Sequence, residues 1–128
     1  MPKQTIQIAA RAAGIIPLGF IGTVANYADT EAFTETVRRS RRFGFEGAAC
    51  VHPSCIPILN TELTPTSDEI AKAQQIIAAY EEADKQGLGA ITHDGKMIDV
   101  PIVERARRLL ARADAIAKKE LRKAELSA

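Results

Sequence analysis

The chain has 128 residues, a formal net charge of +1, and 46% apolar against 26% charged side chains. That length suits one domain at most, and the near-neutral balance offers no electrostatic footprint for nucleic acid or an acidic membrane surface. No apolar run nears the ~20 residues of a membrane span, and the N-terminus has no signal-peptide core.

In chain order, residues 4–13 read as a short helix of alanines and isoleucines, stopped by Gly14. Leu18 to Val24 is an apolar run with small residues, the length of a buried parallel strand. Asp29 can cap the helix that follows, because its carboxylate accepts the free amide hydrogens of the first turn. Ala32, Phe33, Val37 and Phe43 give that helix an inward face, and Gly44 ends it. Gly47 to Val51 reads as a second buried strand, closed by His52-Pro53. Strand, helix and strand at this spacing predict a right-handed, parallel βαβ unit.

The remainder reads as helical. Thr66 and Glu69 form a capping box, and Ile70, Ala73, Ile77 and Tyr80 keep helical spacing up to a stop at Gly87. A connector over residues 87–101 holds the turn dipeptide Asp94-Gly95 and a helix-starting Pro101. A helical hairpin needs far fewer linking residues, so the excess length suggests a working segment. Ile102, Ala106, Leu109, Leu110, Ala113, Ile116 and Ala117 then line a last amphipathic helix whose apolar stripe must pack on something. The basic clusters Arg38–Arg42 and Lys118–Lys119 fall at predicted helix C-terminal ends, where cations complement the helix dipole.

Cys50 and Cys55 are too few for a disulfide framework and read as reduced thiols of a cytoplasmic protein. Cys50-x-His52 with Cys55 resembles a zinc half-site, but no second pair completes a tetrahedron.

Three blocks carry a family resemblance. They are Ala9-Ala10-Arg11-Ala12-Ala13-Gly14-Ile15; then Gly44-Phe45-Glu46-Gly47-Ala48-Ala49-Cys50-Val51-His52-Pro53 with Asn60 and Pro65; then Gly87-x-Gly89-Ala90 followed by Asp94-Gly95-Lys96-Met97-Ile98-Asp99-x-Pro101. In this order and spacing they resemble the CoA-ester lyases, which include the citrate lyase beta subunit and the malyl-CoA and citramalyl-CoA lyases. The resemblance implies an α/β fold. Residues 1–65 would be the last βαβ unit of a partial TIM barrel, and residues 66–128 a helical C-terminal extension with a lid over 87–101. A whole (β/α)8 barrel takes about 250 residues, so the chain matches only the C-terminal portion of such an enzyme. It is then either a fragment or a chain that works as a homo-oligomer or beside a complementing chain carrying the rest of the barrel.

The implied reaction is a reversible retro-aldol or Claisen cleavage of a 3-hydroxyacyl-CoA such as citryl-, malyl- or citramalyl-CoA, with Mg²⁺ polarising the oxo acid. By resemblance the magnesium ligands belong to earlier strands, so no metal ligand is assigned to this chain. The alternative is a truncated, non-catalytic chain serving as an oligomerisation or partner-binding helical module.

A barrel's active site gathers at the C-terminal ends of its strands. Those positions are Asn26, Tyr27 and Asp29 after the first expected strand, and His52 and Pro53 after the second. Asp29 reads as a helix cap, and Asn26 either reaches a substrate oxygen or bonds its own backbone. His52 is either a satisfied structural residue or, with Pro53, part of the CoA-binding turn that the resemblance implies. Asp99 also has two readings. It is a good N-terminal residue for the last helix, and the resemblance makes it the lid's acid–base group, acting at the acyl-CoA α-carbon of a neighbouring subunit. The chain departs from the family's pattern at Ala48-Ala49, where lysine is often found, and at Ser54-Cys55, where glutamine often follows the His-Pro turn.

Overall fold

The computed structural model describes residues 2–127. These residues fall into two units that divide between Thr64 and Pro65. The first unit holds α1 (Pro2–Ala12), α2 (Thr30–Arg42) and α3 (Cys55–Leu63). The second holds α4 (Ser67–Lys85), β1 (Ile91–His93), β2 (Lys96–Ile98) and α5 (Val100–Ser127). The class is α/β, mainly helical with one two-stranded sheet.

In the first unit Asp29 adopts an extended backbone, and its carboxylate accepts the Ala32 N–H at 3.0 Å, starting α2. Phe33 and Val37, one turn apart on the helix, are buried at 3% and 1% exposure. They meet Phe20, Cys55, Leu59 and Leu63 in one apolar cluster, with the Phe20 and Phe33 rings 5.6 Å apart and tilted. Ala32 and Phe43, expected to face inward, are exposed. The inward face instead ends on Ser40, a buried polar side chain at 2% exposure. Arg38 binds Glu62 through two hydrogen bonds, Nε to Oε2 at 2.8 Å and Nη2 to Oε1 at 3.0 Å, tying α2 to α3. Arg11 of α1 pairs with Glu46 and donates to the Gly44 carbonyl.

The two expected buried strands are not formed. Leu18 and Gly47 make a single parallel bridge, with Gly19 N–H donating to Gly47 O at 2.9 Å and Glu46 N–H to Pro17 O at 3.0 Å. A continued parallel ladder would hand the Ile21 N–H to the Ala49 carbonyl. The Ser40 hydroxyl takes that N–H instead, at 2.8 Å, and the pairing stops. Parallel strands are stable when both faces and both edges are covered. Here Leu18 and Val51 are 64% and 63% exposed, so no apolar burial rewards a longer ladder.

The second unit begins with the expected capping box. Thr66 Oγ1 accepts the Glu69 N–H at 3.2 Å, and Glu69 Oε2 accepts the Thr66 N–H at 2.8 Å. The small buried residues Ala73 and Ala83 of α4 and Ala106 of α5 join Ile98 and Val103 as the buried apolar residues of this unit, and small side chains let two helices approach closely. Between the helices β1 and β2 pair antiparallel, Ile91 with Ile98, Thr92 with Met97 and His93 with Lys96. Asp94 and Gly95 form the two-residue turn with φ of 50° and 70°, both left-handed as a type I′ hairpin requires. The register turns Ile98 inward at 3% exposure. α5 continues to Ser127, so Lys118 and Lys119 sit inside the helix and not at its end. Among the described residues no helix is long and apolar enough to cross a membrane.

Candidate functional site

In the first unit, residues just after the two segments expected to be strands come together. Tyr27 stacks on the imidazole of His52, with ring centroids 4.9 Å apart and planes 17° from parallel. The Ser54 backbone N–H donates to His52 Nδ1 at 3.2 Å, and the Ser54 hydroxyl lies 2.8 Å from the same nitrogen. An accepting Nδ1 assigns the ring proton to Nε2, which leaves that nitrogen as the donor toward any ligand. His52 O accepts the Cys55 N–H at 3.1 Å, and Pro53 O accepts the Ile56 N–H at 3.0 Å, so the His-Pro turn runs directly into α3. Ser54 also lines a cleft of about 650 Å³ with Thr30, Glu31, Thr34, Arg38 and Ile58.

Asn26 is exposed, and its carbonyl accepts the Asp29 N–H at 3.1 Å. Its carboxamide makes no hydrogen bond among the described residues, so the side chain does not bond its own backbone. Asp29 acts as the α2 cap. The sequence offered Tyr27 as a strand-end position without a role, and the structure sets its ring against His52. Ser54 was legible only as a departure from the family's pattern.

Asp99 stands in the second unit, on the link between β2 and α5. Its Oδ1 accepts the Ile102 N–H at 3.3 Å and its carbonyl accepts the Val103 N–H at 3.1 Å. The capping reading therefore has geometry behind it. Oδ2 makes no hydrogen bond among the described residues; Ile98 before it is buried, while Met97 and Val100 on either side of that pair are open to solvent at 63% and 53% exposure. A half-buried carboxylate with one engaged oxygen retains a second oxygen for proton exchange.

Magnesium is the metal that the resemblance implies, and the chain's own residues do not fit it. Among the described residues no group of three or more His, Cys, Asp or Glu side chains gathers to hold an ion. The imagined zinc half-site is also dispersed: Cys55 is 1% exposed within the apolar cluster, while His52 is engaged by Tyr27 and Ser54.

No family model matches the chain. Curated relatives do. The citrate lyase subunit beta of Leuconostoc mesenteroides subsp. cremoris is 39% identical over 113 residues, covering 88% of this chain and 37% of the relative. The mitochondrial citramalyl-CoA lyase of Rattus norvegicus is 30% identical over 117 residues, covering 91% of this chain and 34% of the relative. Among solved structures, the protein CitE from Mycobacterium tuberculosis, in complex with magnesium, acetoacetate and coenzyme A, is similar with a TM-score of 0.67 and 30% identity. That match covers 88% of this chain and 40% of the other. The chain thus spans well under half the length of the proteins it matches. By sequence and by fold it is a homologue of the CoA-ester lyases named citrate lyase beta subunit, citramalyl-CoA lyase and malyl-CoA lyase, corresponding to their C-terminal portion.

Proposed function

We propose that the chain supplies the C-terminal portion of a CoA-ester lyase that cleaves a 3-hydroxyacyl-CoA of the citryl-, malyl- or citramalyl-CoA type. The observation that carries this reading is the match of 88% of the chain to a structure holding magnesium, acetoacetate and coenzyme A. In this reading the first unit is the last part of a TIM barrel, and His52, Pro53 and Asn26 meet the CoA ester. The Tyr27–His52 stack and the Nε2 proton support that role, because together they offer an aromatic face and a donor at the end of a parallel pair.

The β-hairpin and the link after it act as the lid over residues 87–101, and Asp99 holds or moves a proton at the acyl α-carbon. A lid also excludes water, which strengthens the electrostatic interactions beneath it. Magnesium polarises the oxo acid when bound, and its ligands lie outside this chain. The exposed Ile15, Ile16, Leu18 and Val51 favour a homo-oligomer or a complementing chain that carries the other strands. Free Cys50 and Cys55 suit a cytoplasmic setting.

A second reading is a non-catalytic oligomerisation or partner-binding helical module. Leu121 and Leu126, exposed at 66% and 80% on α5, favour it. The two are separated by screening the chain, co-expressed with the coding sequence immediately upstream, against citryl-, malyl- and citramalyl-CoA with Mg²⁺. Cleavage of one of them supports the lyase. No cleavage, in a complex that forms and binds its partner tightly, supports the module.

A further inference from the structure

We infer that Ser40 is a positioning residue for the Tyr27–His52 pair, acting through the Ile21 amide. Ser40 is 2% exposed, and its hydroxyl makes two bonds at once. It accepts the Ile21 N–H at 2.8 Å and donates to the Thr36 carbonyl at 2.7 Å. A buried hydroxyl in a helix usually returns its proton to the preceding turn and does nothing more. Here its lone pair catches the one amide that would continue the Leu18–Gly47 ladder.

The consequence is a change of direction. Were Ile21 to bond Ala49, the segment would run on beside residues 47–51. Held by Ser40, it turns onto α2. Gly22 then lies against Thr36, where a Cβ would come within 3.0 Å of Thr36 Cγ2, and Lys3 Nζ donates to the Gly22 carbonyl at 2.9 Å. The far end of the same segment is fixed to α2 by the Asp29 cap. Ser40 and Asp29 are roughly 16 Å apart along the helix at ~1.5 Å per residue. Residues 21–29 would reach about 26 Å if extended, so the slack must be taken up in turns. Those turns are seen: Ala25 N–H donates to Thr23 Oγ1 at 3.1 Å, and Asp29 N–H to the Asn26 carbonyl at 3.1 Å. α2 is therefore a rigid ruler with the segment pinned at both ends, and Tyr27 reaches His52 because of where the pins are. The inference rests on the proposed function only in treating His52 as ligand-facing; the ring pair itself is tested without substrate.

The chain has two tyrosines, so Tyr80→Phe leaves Tyr27 as the sole tyrosine emitter. In that background the change in Tyr27 emission on His52→Ala measures the stack. Ser40→Ala should remove more than half of that His52-dependent change, and Ser40→Thr, which keeps a hydroxyl, should restore it. By exchange mass spectrometry the Ile21 amide should exchange roughly threefold to tenfold faster in Ser40→Ala, the factor that one hydrogen bond's net worth implies. Val37→Ala, which cuts core packing on the same helix without touching the Ser40 bonds, should lower the melting temperature yet keep the His52-dependent change. A full change in Ser40→Ala, or an equal loss in Val37→Ala, overturns the inference. If Ser40→Ala does not fold, the parent decides: an Ile21 amide exchanging at the unprotected rate overturns it, and a protected one supports it.

Discussion

Replacing Asp99 separates the capping contact seen in the structure from the acid–base role proposed for the same side chain. As a cap, Asp99 offers the Ile102 N–H an acceptor at 3.3 Å, longer than the ~2.9 Å typical of such bonds. Its worth should then lie in the lower half of the usual capping range, about 0.5–1 kcal/mol. Asp99→Ala should cost that amount and lower the melting temperature by about 2–8 °C, since 1 kcal/mol shifts a domain of this size by ~4–8 °C. Asp99→Asn should cost almost nothing, because asparagine and aspartate rank alike as caps. As an acid–base group the ordering differs. Asparagine cannot carry the proton, so in an enzyme completed by its remaining strands Asp99→Asn should lose on the order of 10² or more in turnover, with CoA-ester binding nearly unchanged. Thermal melts and steady-state kinetics on the same two variants give the answer. Turnover of the Asn variant within about threefold of the parent, well below the acid–base range, would refute the catalytic assignment.

Three further outcomes follow from the packing. The isolated chain should scatter light as an oligomer or aggregate at micromolar concentration, because Ile15, Ile16, Leu18 and Val51 lie exposed around an unfinished parallel pair; a clean monomer with one cooperative melt would contradict this. Val37→Ala removes two buried methyl groups at 1% exposure and should destabilise the first unit by about 2 kcal/mol in a denaturant melt, with a change below ~0.5 kcal/mol arguing against that core. Thr66→Ala opens the capping box and should cost about 1 kcal/mol, and a neutral result would mean that α4 is held by its contacts with α5 alone.

What could be read from the sequence was what local chemistry decides. The Asp29 cap and the Thr66–Glu69 box depend on residues three apart, and both stand in the structure as expected. The strands were a different matter. Their apolar runs are real, but the ladder's length is set by Ser40, remote in sequence and indistinguishable there from any helix-face serine. α3 was hidden by the prolines around it, His52-Pro53 before and Pro57 within. Pro57 is tolerated because it lies in the first turn, where its missing N–H would have had no helical partner. The Asp94-Gly95 turn was legible, but strands of three residues are too short to show alternation, so the hairpin around it was not. At the candidate site His52, Pro53 and Asp99 came from motif positions, and Asn26 from the end of an expected strand. The Tyr27–His52 stack joins positions far apart in the chain, and no periodicity could announce it.

The most direct test of the incomplete-lyase account is the activity of the chain by itself. With Mg²⁺ and citryl-, malyl- or citramalyl-CoA, the chain alone should show no cleavage above the uncatalysed rate, because its described residues gather no metal-binding group. Adding a segment that carries the remaining strands should produce turnover that EDTA abolishes. Turnover by the chain alone, lost on adding EDTA, would contradict the claim that the rest of the barrel is essential.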